Sequence, residues 1–228
     1  VLWTGEGVAQ KFDRGIRNLT INTGTGNAGA DGIKFYNNNE GIMDEVKIVS
    51  EDGSGVVGLH MAYSSENGPA LIRNVTVRGF DMGVKVNALN SITMSQISLY
   101  DQNELGLQNK SNVLSVENLY SHNQVTAVKN LGNTGMLTII DSEFEGGDES
   151  ATAMINKGTL FARNIVTSGY AKALNSNGSI IPAPSGKKIE EYSSHGVSGV
   201  FPSDERSLNL NVEQPPAISW ETDMAQWV

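Results

Sequence analysis

The chain contains no cysteine among its 228 residues, so disulfides and thiolate metal sites are excluded. Aromatic residues make up only 7%. No window of 18 apolar residues occurs, and no membrane-spanning helix is expected. Positive charge is scarce: 16 Lys and Arg against 25 Asp and Glu leave a net charge of −9. That balance argues against nonspecific nucleic-acid binding and against docking on an anionic membrane. The opening "VLWTGEGVAQKFDRG" has no basic stretch followed by an apolar core, so it does not read as a signal peptide, although one removed earlier leaves no trace. Metal-ligand spacing such as HExxH is absent. His60, His122 and His195 are far apart in sequence, and no Ser-His-Asp arrangement can be argued. Neither a metal nor a cofactor is expected.

What is abundant is glycine, 25 residues, and a repeated phrase. "GPALIRNVTVRGFDMGVKV" reads as a strand, a corner and a second strand. Looser copies begin at Gly15 and Gly158. Aligned on the central polar residue, the copies place Asn18, Glu45, Asn74, Gln96, Asn118, Asp141 and Asn164 in one column, spaced 27, 29, 22, 22, 23 and 23 residues apart. Two residues earlier the column is apolar: Ile16, Met43, Ile72, Met94, Val116, Ile139 and Ala162. After the polar residue, apolar and polar columns alternate with period two, which is the strand signature. A second strand opens on a small-residue column, Gly32, Gly58, Gly83, Gly106, Ala127, Ala153 and Ala173, followed by apolar Ile33, Leu59, Val84, Leu107, Val128, Met154 and Leu174.

These columns predict an all-β fold, a right-handed parallel β-helix of about seven coils over 16–176 with residues 1–15 leading in. At roughly 4.8 Å per coil the solenoid is a rod on the order of 30 Å long. Asn tolerates the left-handed backbone that a corner needs, and stacked amides can bond to one another up the rod. The Asn column is therefore read as a structural ladder, which makes the sequons at Asn18 and Asn74 buried corners and leaves Asn177-Gly-Ser outside it. The Gly/Ala column is read as room for a tight bend. From Asn177 the repeat stops, and 177–228 is expected to be an irregular, extended C-terminal strap or linker, partly packed on the rod through Phe201, Leu208, Leu210, Trp220 and Trp227. No amphipathic helix precedes Ile16 as a cap. The chain is thus expected to belong to a larger protein or to meet a partner there.

Two surfaces are candidates for function. The outward column of the second strand holds Lys34, His60, Lys85, Gln108, Lys129, Ile155 and Asn175, a cationic stripe on an acidic protein. It suits an anionic glycan such as a uronate polymer; the plainer reading is a solvated sheet face. The turn between the two strands holds Glu51 and Asp52, Asp81, Asp101 and Glu104, His122, then Glu145, Asp148 and Glu149. Carboxylates on adjacent coils fall roughly 5–10 Å apart, the range of paired-acid glycosidases. Calcium ligation is a second possibility, and solvated turn residues the plainer one.

The stretches "RNLTINTGTGNAGADGIKF", "VKIVSEDGSGVVGL", "GPALIRNVTVRGFDMGVKV", "NVLSVENL" and "SLNLNVEQPPAISW" resemble the first β-helix half of pectate-lyase-superfamily proteins akin to glycoside hydrolase family 55. The resemblance covers nearly the whole chain, and its motifs specify fold better than substrate. It implies a secreted, extracellular or periplasmic carbohydrate-active enzyme, a glycoside hydrolase or polysaccharide lyase, working on a polysaccharide such as β-1,3-glucan, with a second β-helix domain or partner subunit. The Gly- and Asp-rich opening motif of such halves is missing. The catalytic carboxylate of the resembling enzymes lies in their other half, so no catalytic residue carries over. The alternative is a non-catalytic β-helix, a glycan-binding, adhesive or tailspike-like module. On either reading Asp81, Asp101, Glu104, His122, Lys34, His60, Lys85 and Lys129 are the candidate substrate contacts.

Overall fold

A computed structural model of the chain describes residues 1–5, 7, 10–62, 67–87, 90–110, 113–132, 134–183 and 186–196. Among these residues there are strands and no helix. Seven long strands alternate along the chain with seven short ones. The long strands are β2 (Gly15–Asn22), β4 (Asn38–Val49), β6 (Gly68–Arg78), β8 (Ile92–Tyr100), β10 (Val113–Asn123), β12 (Met136–Gly146) and β14 (Thr159–Thr167). The short strands are β3 (Asp31–Lys34), β5 (Val57–Ala62), β7 (Met82–Asn87), β9 (Leu105–Lys110), β11 (Val128–Leu131), β13 (Thr152–Asn156) and β15 (Lys172–Ser176). Each long strand pairs in parallel with the next long one, and each short strand with the next short one. The result is the expected parallel β-solenoid of about seven turns.

The corner column lies where the repeat placed it. Asn18, Glu45, Asn74, Gln96, Asn118, Asp141 and Asn164 all have φ between 49° and 56°. In β6 the in–out alternation breaks only there: Arg73 and Asn74 both face outward, and the strand resumes with Val75 buried. One extra outward residue in the left-handed region bends each long strand into two faces. The columns flanking the corner form the core. Met43, Ile72, Met94 and Ile139 on one side, and Val46, Val75, Ile97 and Leu119 on the other, are at most 1% exposed.

Two sequence expectations change in detail. The corner residues are not a buried ladder. Asn18 is exposed; Asn164 Nδ2 donates to Asp141 Oδ1 (2.5 Å), its neighbour in the corner column, while Asn74 Nδ2 turns to Asp44 Oδ1 (3.1 Å) beside the corner. The buried ladder lies at the end of the short strands. There Asn109, Asn130, Asn156 and Ser176 are register partners joined side chain to side chain. The small-residue column owes its composition to close approach rather than to a bend. A Cβ on Gly58 would strike Val77 Cγ1 and come within 2.9 Å of the Gly83 carbonyl oxygen; one on Gly83 would come within 2.7 Å of the Gly106 carbonyl.

Beyond the last coil, β16 (Ser179–Pro182) and β17 (Lys187–Ser193) run antiparallel to β15 and β14. They occupy hydrogen-bonding edges that a parallel stack leaves open at this end. Ile189 of β17 is buried. At the other end β1 (Leu2–Trp3) pairs with β3. Residues 197–228, with Phe201, Leu208, Leu210, Trp220 and Trp227, lie outside the described residues.

Candidate functional site

The outward column of the short-strand sheet is a true stripe. Lys34, His60, Lys85, Gln108, Lys129, Ile155 and Asn175 are successive register partners. Its first two members share one counter-charge: Asp31 Oδ2 lies 3.1 Å from Lys34 Nζ and 2.9 Å from His60 Nδ1. The positive character of the stripe therefore resides in Lys85 and Lys129 and not in its first two coils.

Some of the acids along the turn edge hold the turns themselves. Asp52 accepts from the backbone amides of Gly26 (2.6 Å) and Ser54 (3.0 Å) and from the hydroxyls of Ser54 and Ser50, which together hold its carboxyl far below the usual range. Asp148 does the same for Ser150 and Ala151, and its carboxyl is likewise lowered, first by the Ser150 hydroxyl. Asp81 accepts from Asn103 Nδ2 (3.2 Å), and Asp101 pairs with Arg78 Nε (2.9 Å). Glu104 is exposed, and its backbone amide donates to the Asp81 carbonyl (2.9 Å). His122 stands one coil on from Asp101, whose backbone amide donates to the His122 carbonyl (3.3 Å), and its Nδ1 lies 3.6 Å from Glu145. Between the coils the edge is pitted. One cleft of about 340 Å³ is lined by Asp101, Asn103, His122 and Gln124, and a neighbour of about 370 Å³ by Glu51, Arg78 and Asp101.

The outward face beside this edge holds a cluster that the sequence reading did not assemble. The rings of Tyr100 and Tyr120 lie 5.7 Å apart, tilted by 56°. The Tyr120 hydroxyl donates to Glu145 Oε2 (2.6 Å), the oxygen that also faces His122 Nδ1. That bond to a carboxylate pushes the Tyr120 hydroxyl up to about 12 and, from the other side, holds Glu145 below the usual carboxylate range. Glu143, two residues before Glu145 on the same face of β12, shifts the opposite way. Burial raises it first, then the charge of Glu145 and a hydrogen bond to it. The two neighbouring carboxyls thus shift in opposite directions, Glu145 down and Glu143 up.

The cluster offers two aromatic faces, two carboxyls and an imidazole beside a polar cleft. Its members fall in two outward columns, Tyr100, His122 and Glu145 in one and Tyr120 and Glu143 in the other, and the contacts that join the two columns run diagonally. No group of three or more His, Cys, Asp or Glu among the described residues is arranged to hold a metal ion, and no helix there is long and apolar enough to cross a membrane. No family model matches the chain, and no curated protein matches it. The fold rests on the chain's own register, and the family resemblance on the sequence motifs alone.

Proposed function

We propose that this solenoid holds a polysaccharide, as the substrate-positioning part of a carbohydrate-active enzyme, with sugar rings resting on Tyr100 and Tyr120. The observation that carries this reading is the tilted tyrosine pair beside His122, Glu143 and Glu145. Sugar rings have apolar faces that stack on aromatic side chains, and rims of hydroxyls that donate to carboxylates and accept from imidazole. The cleft lined by Asp101, Asn103 and Gln124 extends the same polar chemistry along the edge.

The role proposed is positioning rather than bond cleavage. The two carboxyls of the cluster share a hydrogen bond. In the resembling enzymes the catalytic carboxylate lies in the other half, so no residue of this cluster is assigned the role of catalytic acid or nucleophile. The resemblance to family 55 glycoside hydrolases makes β-1,3-glucan the first polymer to test. It also points to a second β-helix or partner subunit for the catalytic acid and to work outside the cytoplasm.

Electrophoresis through gels containing laminarin, xylan, polygalacturonate or alginate tests the reading, with the wild type beside Tyr100→Ala, Tyr120→Ala and Tyr120→Phe. Laminarin is expected to retard the wild type. Both alanine variants release it, while Tyr120→Phe keeps the stacking face and most of the retardation. Equal mobility of the wild type and Tyr100→Ala in every gel would overturn it.

A further inference from the structure

Charge is distributed very unevenly around the rod. The six short strands from β5 to β15 contain no Asp or Glu, although the chain as a whole carries −9. They contain Lys85, Lys110, Lys129 and Lys172, and Lys157 follows directly after β13. Lys85 and Lys129 share one outward column with Gln108 between them. Lys110 is the register partner of Leu131 in the next outward column. Lys157 reaches the following coil beside it, its backbone amide donating to the Asn130 carbonyl (2.8 Å). Four consecutive coils therefore each present one lysine, alternating between two adjacent columns. None of the ion pairs among the described residues involves any of the four.

We propose that this sheet binds a linear anionic glycan carrying one charge per sugar, laid along the solenoid axis over Lys85, Lys110, Lys129 and Lys157. Successive rungs rise about 4.8 Å, so the ladder supplies a cation at about the spacing of successive sugars in an extended glycan. Ammonium groups on neighbouring rungs repel one another, and a polyanion along them turns that repulsion into attraction. Gln108, half-buried between Lys85 and Lys129, adds a neutral partner for hydroxyls. A nucleic acid fits less well: strands β7 to β15 of this sheet carry no aromatic side chain on which a base could stack. This surface lies on the other sheet from the tyrosine cluster, and the inference stands apart from the reading of that cluster.

The experiment is affinity electrophoresis in polygalacturonate, dextran sulfate, laminarin and single-stranded DNA, at low and at 0.5 M salt. The wild type is compared with Lys85→Gln/Lys129→Gln, Lys110→Gln/Lys157→Gln and the charge-matched control Lys187→Gln/Lys188→Gln on β17. The wild type is expected to be retarded by at least one of the two anionic glycans and released by high salt. Each ladder variant weakens that retardation about tenfold, and the control leaves it unchanged. Polygalacturonate alone marks a carboxylated glycan, dextran sulfate alone a sulfated one, and both a ladder that reads charge only. Laminarin mobility is unaffected by the lysine variants, which separates this surface from the tyrosine cluster. No retardation by either anionic glycan, equal losses in the control variant, or stronger retardation by DNA than by both glycans would overturn the proposal. Unchanged melting temperatures of the variants keep the comparison free of folding effects.

Discussion

Asn109 donates its side-chain amide to Oδ1 of Asn130 across 2.9 Å, inside the solenoid, where both side chains are almost fully buried. Asn130 in turn donates to Asn156 Oδ1 (2.7 Å) and to the Thr159 carbonyl (3.0 Å), and Asn156 to Ser176 Oγ (2.8 Å). The chain of amides ties four coils together along the axis and satisfies polar groups that have no access to water.

Asn130→Ala removes the central member and strands polar groups of Asn109 and Asn156. Buried polar groups left without partners cost about 1–3 kcal/mol each, so the variant is expected to lose about 2–4 kcal/mol. Urea unfolding followed by circular dichroism measures this; a loss below about 0.5 kcal/mol would show that the ladder contributes little.

The small-residue column makes a directional prediction. Gly58→Ala pushes a methyl into Val77 and the Gly83 backbone, whereas Ala127→Gly in the same column removes a methyl that its coil already accommodates. Overpacking of this kind costs about 1–3 kcal/mol, and the reverse change about 1 kcal/mol. Thermal unfolding of the two variants is expected to place Gly58→Ala lower; the opposite order would contradict the close-approach account.

At the corners the backbone decides. Gln96 and Asn118 hold φ of 56° and 53° in consecutive coils, and Asn adopts this region more readily than Gln or any β-branched residue. Gln96→Asn is expected to stabilise by about 0.5 kcal/mol and Asn118→Val to destabilise by about 1–2 kcal/mol. Matching melting curves for the two variants would refute the assignment of these positions as strained corners.

How much of this was legible in the sequence follows from the geometry of stacking. In a solenoid, residues of one column are neighbours, so the inward columns, the corner at Asn74 and its equivalents, and the lysine-bearing stripe appear directly in an alignment of coils. The buried ladder was hidden because its column changes character: Met61 and Val86 fill it before Asn109 takes over. The tyrosine cluster was only half visible: an alignment puts Tyr100, His122 and Glu145 in one column and Tyr120 and Glu143 in another, but the contacts that join the columns are diagonal, Tyr120 meeting the ring of Tyr100 on the coil before and Glu145 on the coil after. The turn acids were visible as residues, but their engagement in closing turns, as at Asp52 and Asp148, depends on backbone amides that sequence does not reveal.

Acid sensitivity should appear at Asp44. Hydrogen bonding from Arg73 Nη2 (2.7 Å) holds its carboxyl below the usual range, with Asn74 adding to the effect against the opposing pull of burial. A carboxyl lowered by folding contributes stability above its unfolded value near 4 and loses it as pH falls through the folded value. Because the Arg73 side chain is 39% exposed, the contribution is limited to about 1 kcal/mol. Asp44→Asn is expected to melt below the wild type at pH 7, and the gap is expected to narrow as pH falls below the unfolded value near 4. A gap that does not narrow on acidification would remove the ion pair from the account.

The central claim, that sugar rests on Tyr100 and Tyr120, is tested most directly by NMR of protein labelled only at its six tyrosines. Resonances are assigned by single Tyr→Phe substitutions and followed during titration with β-1,3-gluco-oligosaccharide. The account predicts saturable shifts at Tyr100 and Tyr120 and none at Tyr36 and Tyr170, which are buried in the body of the solenoid. Unmoved Tyr100 and Tyr120 resonances at millimolar oligosaccharide, or shifts confined to other tyrosines, would contradict it.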